Sequence, residues 1–306
     1  MRNNLFRHLL FVTFLSLVSL VLAQDSNGSL FTLYAKNGMG AQSGDSYGDY
    51  LVTVSKLEKK FGLYNLKRKK LCYVHQREPK LEIVDESDVY HANNSSFGIQ
   101  RYVELDPFPM LYVSNRCNDA GRGVLDVFRI VPLKSEGSID YDSLLVQQVQ
   151  TIYFPVATDE NALGSPWTAI DKENNCMYTY SRNNRSKAKN RGICRISKFR
   201  IPAVGEGSEV YLNDEDIIDN YEVDFKAPVS QGACIHHGKM YIAQGTSPKK
   251  FLWLRVIDLK QRRLVDNYDL KEAGFTNEPE GCYIYRNQLM LSTGGKRIFK
   301  INIPIE

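Results

Sequence analysis

Beyond residue 23 the sequence has no long apolar run. A helix that spans a bilayer needs about 18 or more consecutive apolar residues, so membrane insertion is not expected. An excess of charge of one sign is lacking too. Once Arg2 and Arg7 are set aside, 37 of the 39 basic residues face 35 acidic ones. A balance so near neutrality gives no reason to expect nucleic acid as a partner. There is no Cys-x-x-Cys, and no His stands at ligand spacing from the six cysteines, which argues against a zinc site. No Ser–His–Asp order and no glycine-rich phosphate loop marks an enzyme class, and neither a metal nor a cofactor is implied. Calcium takes oxygen ligands, but Asp45, Asp49 and Glu280 lack the dense Asp-x-Asp-x-Asp spacing of a dedicated loop.

What is present begins with an export signal. Arg2 and Arg7 form a positive start, and residues 9–22 are apolar apart from Thr13, Ser16 and Ser19. Val21, Leu22 and Ala23 then offer small residues where a signal peptidase cuts. Residues 1–23 are read as a secretory signal peptide. Residues 24–306 are read as one exported domain, expected as a monomer in the periplasm, at the cell surface or secreted. No Cys follows the cleavage point, so a lipoprotein anchor is not indicated. Export permits disulfides, and Cys176 and Cys194 could face each other across one hairpin; buried free thiols are the plainer reading in a chain of this size.

The remainder reads as β structure. Tyr (18) and Phe (14) are plentiful, β-branched residues alternate with polar ones, and long helical periodicity is absent. One pattern recurs five times: a polar lead-in with Gly or Asn, a short apolar strand, a tight turn and a second strand. The lead-ins are Gln42-Ser43-Gly44-Asp45, His91-Ala92-Asn93, Ser165-Pro166-Trp167, Gln231-Gly232-Ala233-Cys234 and Glu278-Pro279-Glu280-Gly281-Cys282. After the first copy a third strand follows, at residues 123–131, 192–199, 252–258 and 297–303, and charged outer strands come after it. Repeats of this kind predict an all-β, five-bladed β-propeller. The fifth copy stops after its third strand, and residues 29–34 could supply the fourth, pairing with residues 298–303 and closing the ring. A β-sandwich with a small second domain is the alternative.

These lead-ins resemble those of exported bacterial five-bladed propellers, including the propeller domains of teichoic-acid-biosynthesis C-type proteins and of phage receptor-binding proteins. The motifs that carry the resemblance are Gln42 to Asp45, His91-Ala92-Asn93 with Phe108-Pro109-Met110-Leu111-Tyr112, Gln231-Gly232-Ala233-Cys234, and Glu278 to Cys282. The resemblance implies the fold and an association with cell-surface carbohydrate polymers. Arabinanase-type glycosidases, also five-bladed, place three carboxylates in the funnel. Asp45 or Asp49 and Asp171 could match two of these by blade, but the fourth lead-in carries no acid.

In a cyclic repeat, equivalent positions surround one axis. The lead-ins and the turns after the second strands should therefore line a common funnel. Candidate catalytic groups are His91, Glu280 and Asp45; candidate ligand-binding groups are Asn93, Arg116, Trp167, Arg182 and Gln231. Arginine forks match anions, and Trp167 could stack on a sugar ring. The expectation is a propeller that binds or processes a polysaccharide or surface polymer, anionic by virtue of the two arginines. A protein-interaction scaffold is the alternative.

Overall fold

The computed structural model describes residues 29–32, 42–55, 61–77, 92–115, 121–135, 138–158, 161, 163, 167–182, 193–226, 230–247, 251–293 and 297–305. Its strands form five sheets around one axis, and the chain is a five-bladed β-propeller. Strand β1 (Ser29–Thr32) belongs to the last blade. Blade 1 holds β2 (Ser43–Tyr47), β3 (Tyr50–Val54), β4 (Phe61–Asn65) and the short β5 (Lys70–Leu71), after which β6 (Tyr73–Arg77) leaves it. Blade 2 holds β7 (Asn94–Phe97), β8 (Leu111–Asn115), β9 (Arg122–Ser135) and β10 (Ser138–Val156). Blade 3 holds β11 (Trp167–Asp171), β12 (Cys176–Arg182) and β13 (Ile193–Arg200); β14 (Glu209–Tyr211) then departs, and β15 (Ile217–Lys226) completes the blade. Blade 4 is β16 (Ser230–His236), β17 (Lys239–Ser247), β18 (Phe251–Asp258) and β19 (Arg263–Asp269), and blade 5 is β20 (Pro279–Tyr285), β21 (Gln288–Thr293) and β22 (Arg297–Ile301).

The ring closes by the strand the repeat count predicts, over residues 29–32 against 297–299, while residues 33–34 lie outside the described residues. Strand β1 runs antiparallel to β22, with Phe31 opposite Ile298 and Thr32 opposite Arg297, so blade 5 reads β1-β22-β21-β20. Two features differ from the sequence reading. Blade 1 does have third and fourth strands, β4 and β5. Blade 2 is more than a meander, because the outer edge of β10 pairs in parallel with β6 at residues 143–147 and with β14 at residues 151–153. Strands borrowed from blades 1 and 3 thus cover an edge that would otherwise offer unpaired backbone groups.

Period-2 alternation gives each blade two apolar faces. In β17, Met240 and Ile242 turn toward blade 3, where they meet Tyr180, Ile196 and Phe225. The intervening Tyr241 and Ala243 turn toward blade 5, where they meet Cys282, Leu289 and Leu291. Each of the five seams between blades has its own buried cluster. Tight turns join the first two strands of a blade. His237 and Gly238 both have positive φ (48° and 70°), as do Arg286 and Asn287 (48° and 56°), which suits the twist of two-residue hairpins.

Candidate functional site at the funnel end of the axis

The axis is nearly filled at mid-height. A Cβ on Gly232 would lie 2.6 Å from the Glu280 carbonyl and 2.7 Å from the Gly281 Cα. One on Gly281 would strike Ser292 Oγ and come within 3.0 Å of the Gly44 nitrogen. The inner strands of blades 4, 5 and 1 therefore meet backbone to backbone, and only glycine fits. The space opposite is taken by Asn94, which is fully buried. Its Nδ2 donates to the Thr168 carbonyl (2.8 Å) and the Ala233 carbonyl (2.9 Å), and its Oδ1 accepts from the Ala233 N–H (3.2 Å). One side chain thus ties blade 2 to blades 3 and 4.

Above this plug, where the inner strands begin, two carboxylates and two amides meet across blade boundaries. Gln42 Nε2 of blade 1 donates to Glu280 Oε2 of blade 5 at 2.6 Å. Gln231 Nε2 of blade 4 donates to Glu278 Oε1 of blade 5, also at 2.6 Å, and makes a longer contact to the Gly245 carbonyl. Gln42, Gln231 and Glu280 are buried, Glu278 is partly buried, and each carboxylate accepts from an amide of the neighbouring blade. A carboxylate in that setting can accept hydroxyl hydrogens or handle a proton.

The neighbouring seam between blades 3 and 4 supplies a positive charge. In β18, Leu252, Leu254 and Val256 pack toward blade 5, so Trp253 and Arg255 lie on the opposite face. The Arg255 guanidinium sits over Trp253 (4.9 Å) and over Phe225 of blade 3 (5.4 Å). Its Nε donates to Gln244 Oε1 at 3.1 Å, and Gln244 reaches Ser230 Oγ at 3.3 Å. Among the described residues no carboxylate pairs with Arg255, and burial alone draws its pKa below the usual arginine value. Trp167, half-buried, packs against the same seam.

The residues of the lead-ins do not all share this opening. Asp45 lies two residues into β2 and is buried toward the other end of the axis, where the inner hairpins turn. Its carboxylate accepts the N–H groups of Ser46 (2.7 Å) and Phe97 (2.7 Å), and Lys172 Nζ reaches it at 2.9 Å from the turn of blade 3. A carboxylate engaged in this way braces three blades and does not converge with Glu280. Asp171 is likewise committed to its own turn, accepting from the N–H groups of Glu173 and Asn174 (both 3.1 Å) and from Asn174 Nδ2 (2.8 Å). Asp49 sits in the blade 1 turn, paired with Arg286 at 2.7 Å, and that ion pair holds its carboxyl below the usual range. The three acids therefore do not form a glycosidase triad. Asn93 is buried, and its N–H bonds to the Ser114 carbonyl (3.2 Å). His91, Arg116 and the side chain of Arg182 lie outside the described residues.

The described cysteines are buried free thiols, the plainer of the two readings of the sequence, and Cys176 and Cys194 do not face each other across the hairpin. Cys176 stands opposite Arg200 and Cys194 opposite Arg182, at the two ends of the strand pair. The five described cysteines are free and buried. Two that the sequence did not link, Cys234 and Cys282, bring their sulfurs to 3.4 Å across the seam between blades 4 and 5.

A scan against protein-family models matches none, and a search of curated proteins finds no match. Solved structures do match. The glutaminyl cyclase of Myxococcus xanthus has a TM-score of 0.49 and 10% identity, covering 92% of this chain and 97% of that one. The major Malassezia sympodialis allergen Mala s 1 has a TM-score of 0.47 and 8% identity, covering 88% and 94%. A luciferin-regenerating enzyme has a TM-score of 0.38 and 13% identity, covering 86% and 73%. The sheet order itself establishes the five-bladed architecture, and a shared fold does not carry an activity with it. Among the described residues no helix is long and apolar enough to cross a membrane.

Proposed function

We propose that this is an exported propeller that binds an extracellular carbohydrate or related surface polymer at the funnel end of its axis. The observation that carries the reading is the set of amide–carboxylate pairs, Gln42–Glu280 and Gln231–Glu278, beside an arginine with no acid partner among the described residues. The carboxylates and amides suit the hydroxyl groups of a sugar. Arg255 suits an anionic substituent, and Trp167 offers a ring face. The signal-like N-terminus and the resemblance of the lead-ins to surface-polymer propellers support the same reading. The anionic preference expected from Arg116 and Arg182 here rests on Arg255.

The test is a panel of acidic and neutral polysaccharides incubated with residues 24–306, with both retention and product release recorded. Retention of an acidic polymer is expected, weakened at least about tenfold by Arg255→Gln, in line with the loss of one charge-assisted contact. Product formation that is abolished by Glu280→Gln or His91→Asn identifies turnover; retention without product identifies a lectin. A preference for neutral glycans, or affinity untouched by Arg255→Gln and Glu280→Gln alike, overturns the proposal.

A further inference from the structure

The opposite end of the axis carries a cluster that the funnel site does not use. Glu173 stands in the blade 3 turn between β11 and β12, while His236 ends β16 and His237 opens the turn of blade 4. Consecutive strand residues point to opposite faces, so neighbouring histidines would ordinarily diverge. Here His237 adopts the left-handed conformation, with φ at 48°, and the chain folds its ring back beside that of His236. The ring centroids are 3.9 Å apart. Glu173 joins them from the next blade: its Oε1 lies 2.9 Å from His237 Nδ1 and accepts the His237 N–H at 3.1 Å. One ligand atom from each residue falls within 4.8 Å of the other two.

We propose that Glu173, His236 and His237 form a zinc-class metal site bridging the turns of blades 3 and 4. Two imidazoles and one carboxylate are the donor set of an open zinc site, with water completing the tetrahedron. Zn–N bonds of about 2.0–2.1 Å put tetrahedral ligands about 3.3 Å apart, and rotation of side chains at the surface closes the remaining gap. Calcium and magnesium, which take oxygen ligands, are poorly served by two imidazoles. Lys172, a cation that acts on His236, is already paired with Asp45 at 2.9 Å, which lessens its repulsion of a second positive charge. Solvent reaches Glu173 and His237, whose side chains are 49% and 59% exposed, so an ion can enter without unfolding the protein.

The experiment uses mature protein stripped with a chelator and titrated with ZnCl₂ by calorimetry, with melting temperature followed in parallel. Saturable binding of one equivalent at micromolar free Zn²⁺ is expected, with a rise in melting temperature and no response to Ca²⁺ or Mg²⁺. Glu173→Gln should lower affinity at least about tenfold, a loss of the size ligand-shell changes produce, and the double variant His236→Gln, His237→Asn should abolish binding. Asparagine is chosen at 237 because it tolerates the left-handed backbone, and an unchanged apo melting temperature checks that the variants fold. Two results overturn the site: no saturable binding below about 100 µM free Zn²⁺, far weaker than a built zinc site, or undiminished binding by the double variant.

Discussion

Replacing Asn94 tests whether the ring depends on its central plug. Asn94→Ala removes three hydrogen bonds, of 2.8, 2.9 and 3.2 Å, and strands the carbonyls of Thr168 and Ala233 and the N–H of Ala233. Each buried polar group left without a partner costs about 1–3 kcal/mol. The Thr168 carbonyl keeps a long contact from Ser114 Oγ (3.4 Å), and water entering the vacated volume satisfies part of the remainder. The net loss is therefore set at about 2–5 kcal/mol. At roughly 2–4 °C per kcal/mol for a chain of this size, the melting temperature should fall by about 4–20 °C. Asn94→Asp separates the hydrogen-bonding role from mere volume. Its carboxylate would face two carbonyl oxygens, which raises the folded-state pKa of the acid above the unfolded value of about 3.9. Stability would be highest below that value and would be lost as pH rises through the folded pKa. Urea denaturation of the native protein and both variants at pH 4 and pH 7 reads these effects. A loss under about 1 kcal/mol for Asn94→Ala, or an Asn94→Asp protein no more stable at pH 4 than at pH 7 relative to the native chain, would refute the reasoning.

Three further outcomes are expected. Deleting residues 29–32 strips β22 of its outer-edge partner and should give a less stable protein that self-associates through the open edge, as read by melting temperature and light scattering; a monomer of native stability would contradict ring closure by this strand. Cys194 is fully buried, and burial pushes its thiol well above the ordinary range, as it does for Cys234. Iodoacetamide at pH 8 should spare both until denaturant is added, which peptide mass spectrometry resolves. Burial also raises the phenol pKa values of Tyr180 and Tyr283. The unfolded chain gives up these protons near pH 10 and the folded chain does not, so stability should fall as pH rises past 10. A 295 nm titration should then show late ionisation coincident with unfolding.

How much of this was legible in the sequence depends on the kind of signal. Blade number and closure follow from features the chain repeats: a polar lead-in at each inner strand, and a last blade short of one strand. The glycines of the lead-ins mark where inner strands touch, because a missing side chain is visible in sequence. Depth along the axis was not legible from these motifs. A strand advances about 3.3 Å per residue, so Asp45, two residues past Ser43, reaches the turn end and Lys172, while Glu280 stays near Gln42. Arg255 gave no repeat signal because it lies on a third strand, outside any lead-in. Its trace was the alternation Leu252, Trp253, Leu254, Arg255, which puts an aromatic and a cation on one face. The parallel pairings of β6 and β14 with β10 join segments far apart in sequence, and hairpin logic does not reach them. His236 and His237 precede the Gly238 turn, which marks them as a hairpin away from the funnel, but that their rings come together follows only from the positive φ of His237.

The antiparallel bond between β1 and β22 has a consequence for the order of events in synthesis. Ser29 and Phe299, partners in that pair, stand 270 residues apart along the chain. Nearly the whole chain must be made before the ring can shut, whereas each inner hairpin can form as soon as it emerges. Until β22 has been made and has paired with β21, β1 is tethered but unpaired, so the nascent chain is an open horseshoe through most of the synthesis of the blades. Once shut, the ring brings its two ends into one sheet, and the point at which the chain starts becomes arbitrary. A permutant that begins at the blade 4 to blade 5 connection and joins β22 to β1 through a short linker would make blade 5 from one contiguous segment. It would replace a late, long-range closure with a local one.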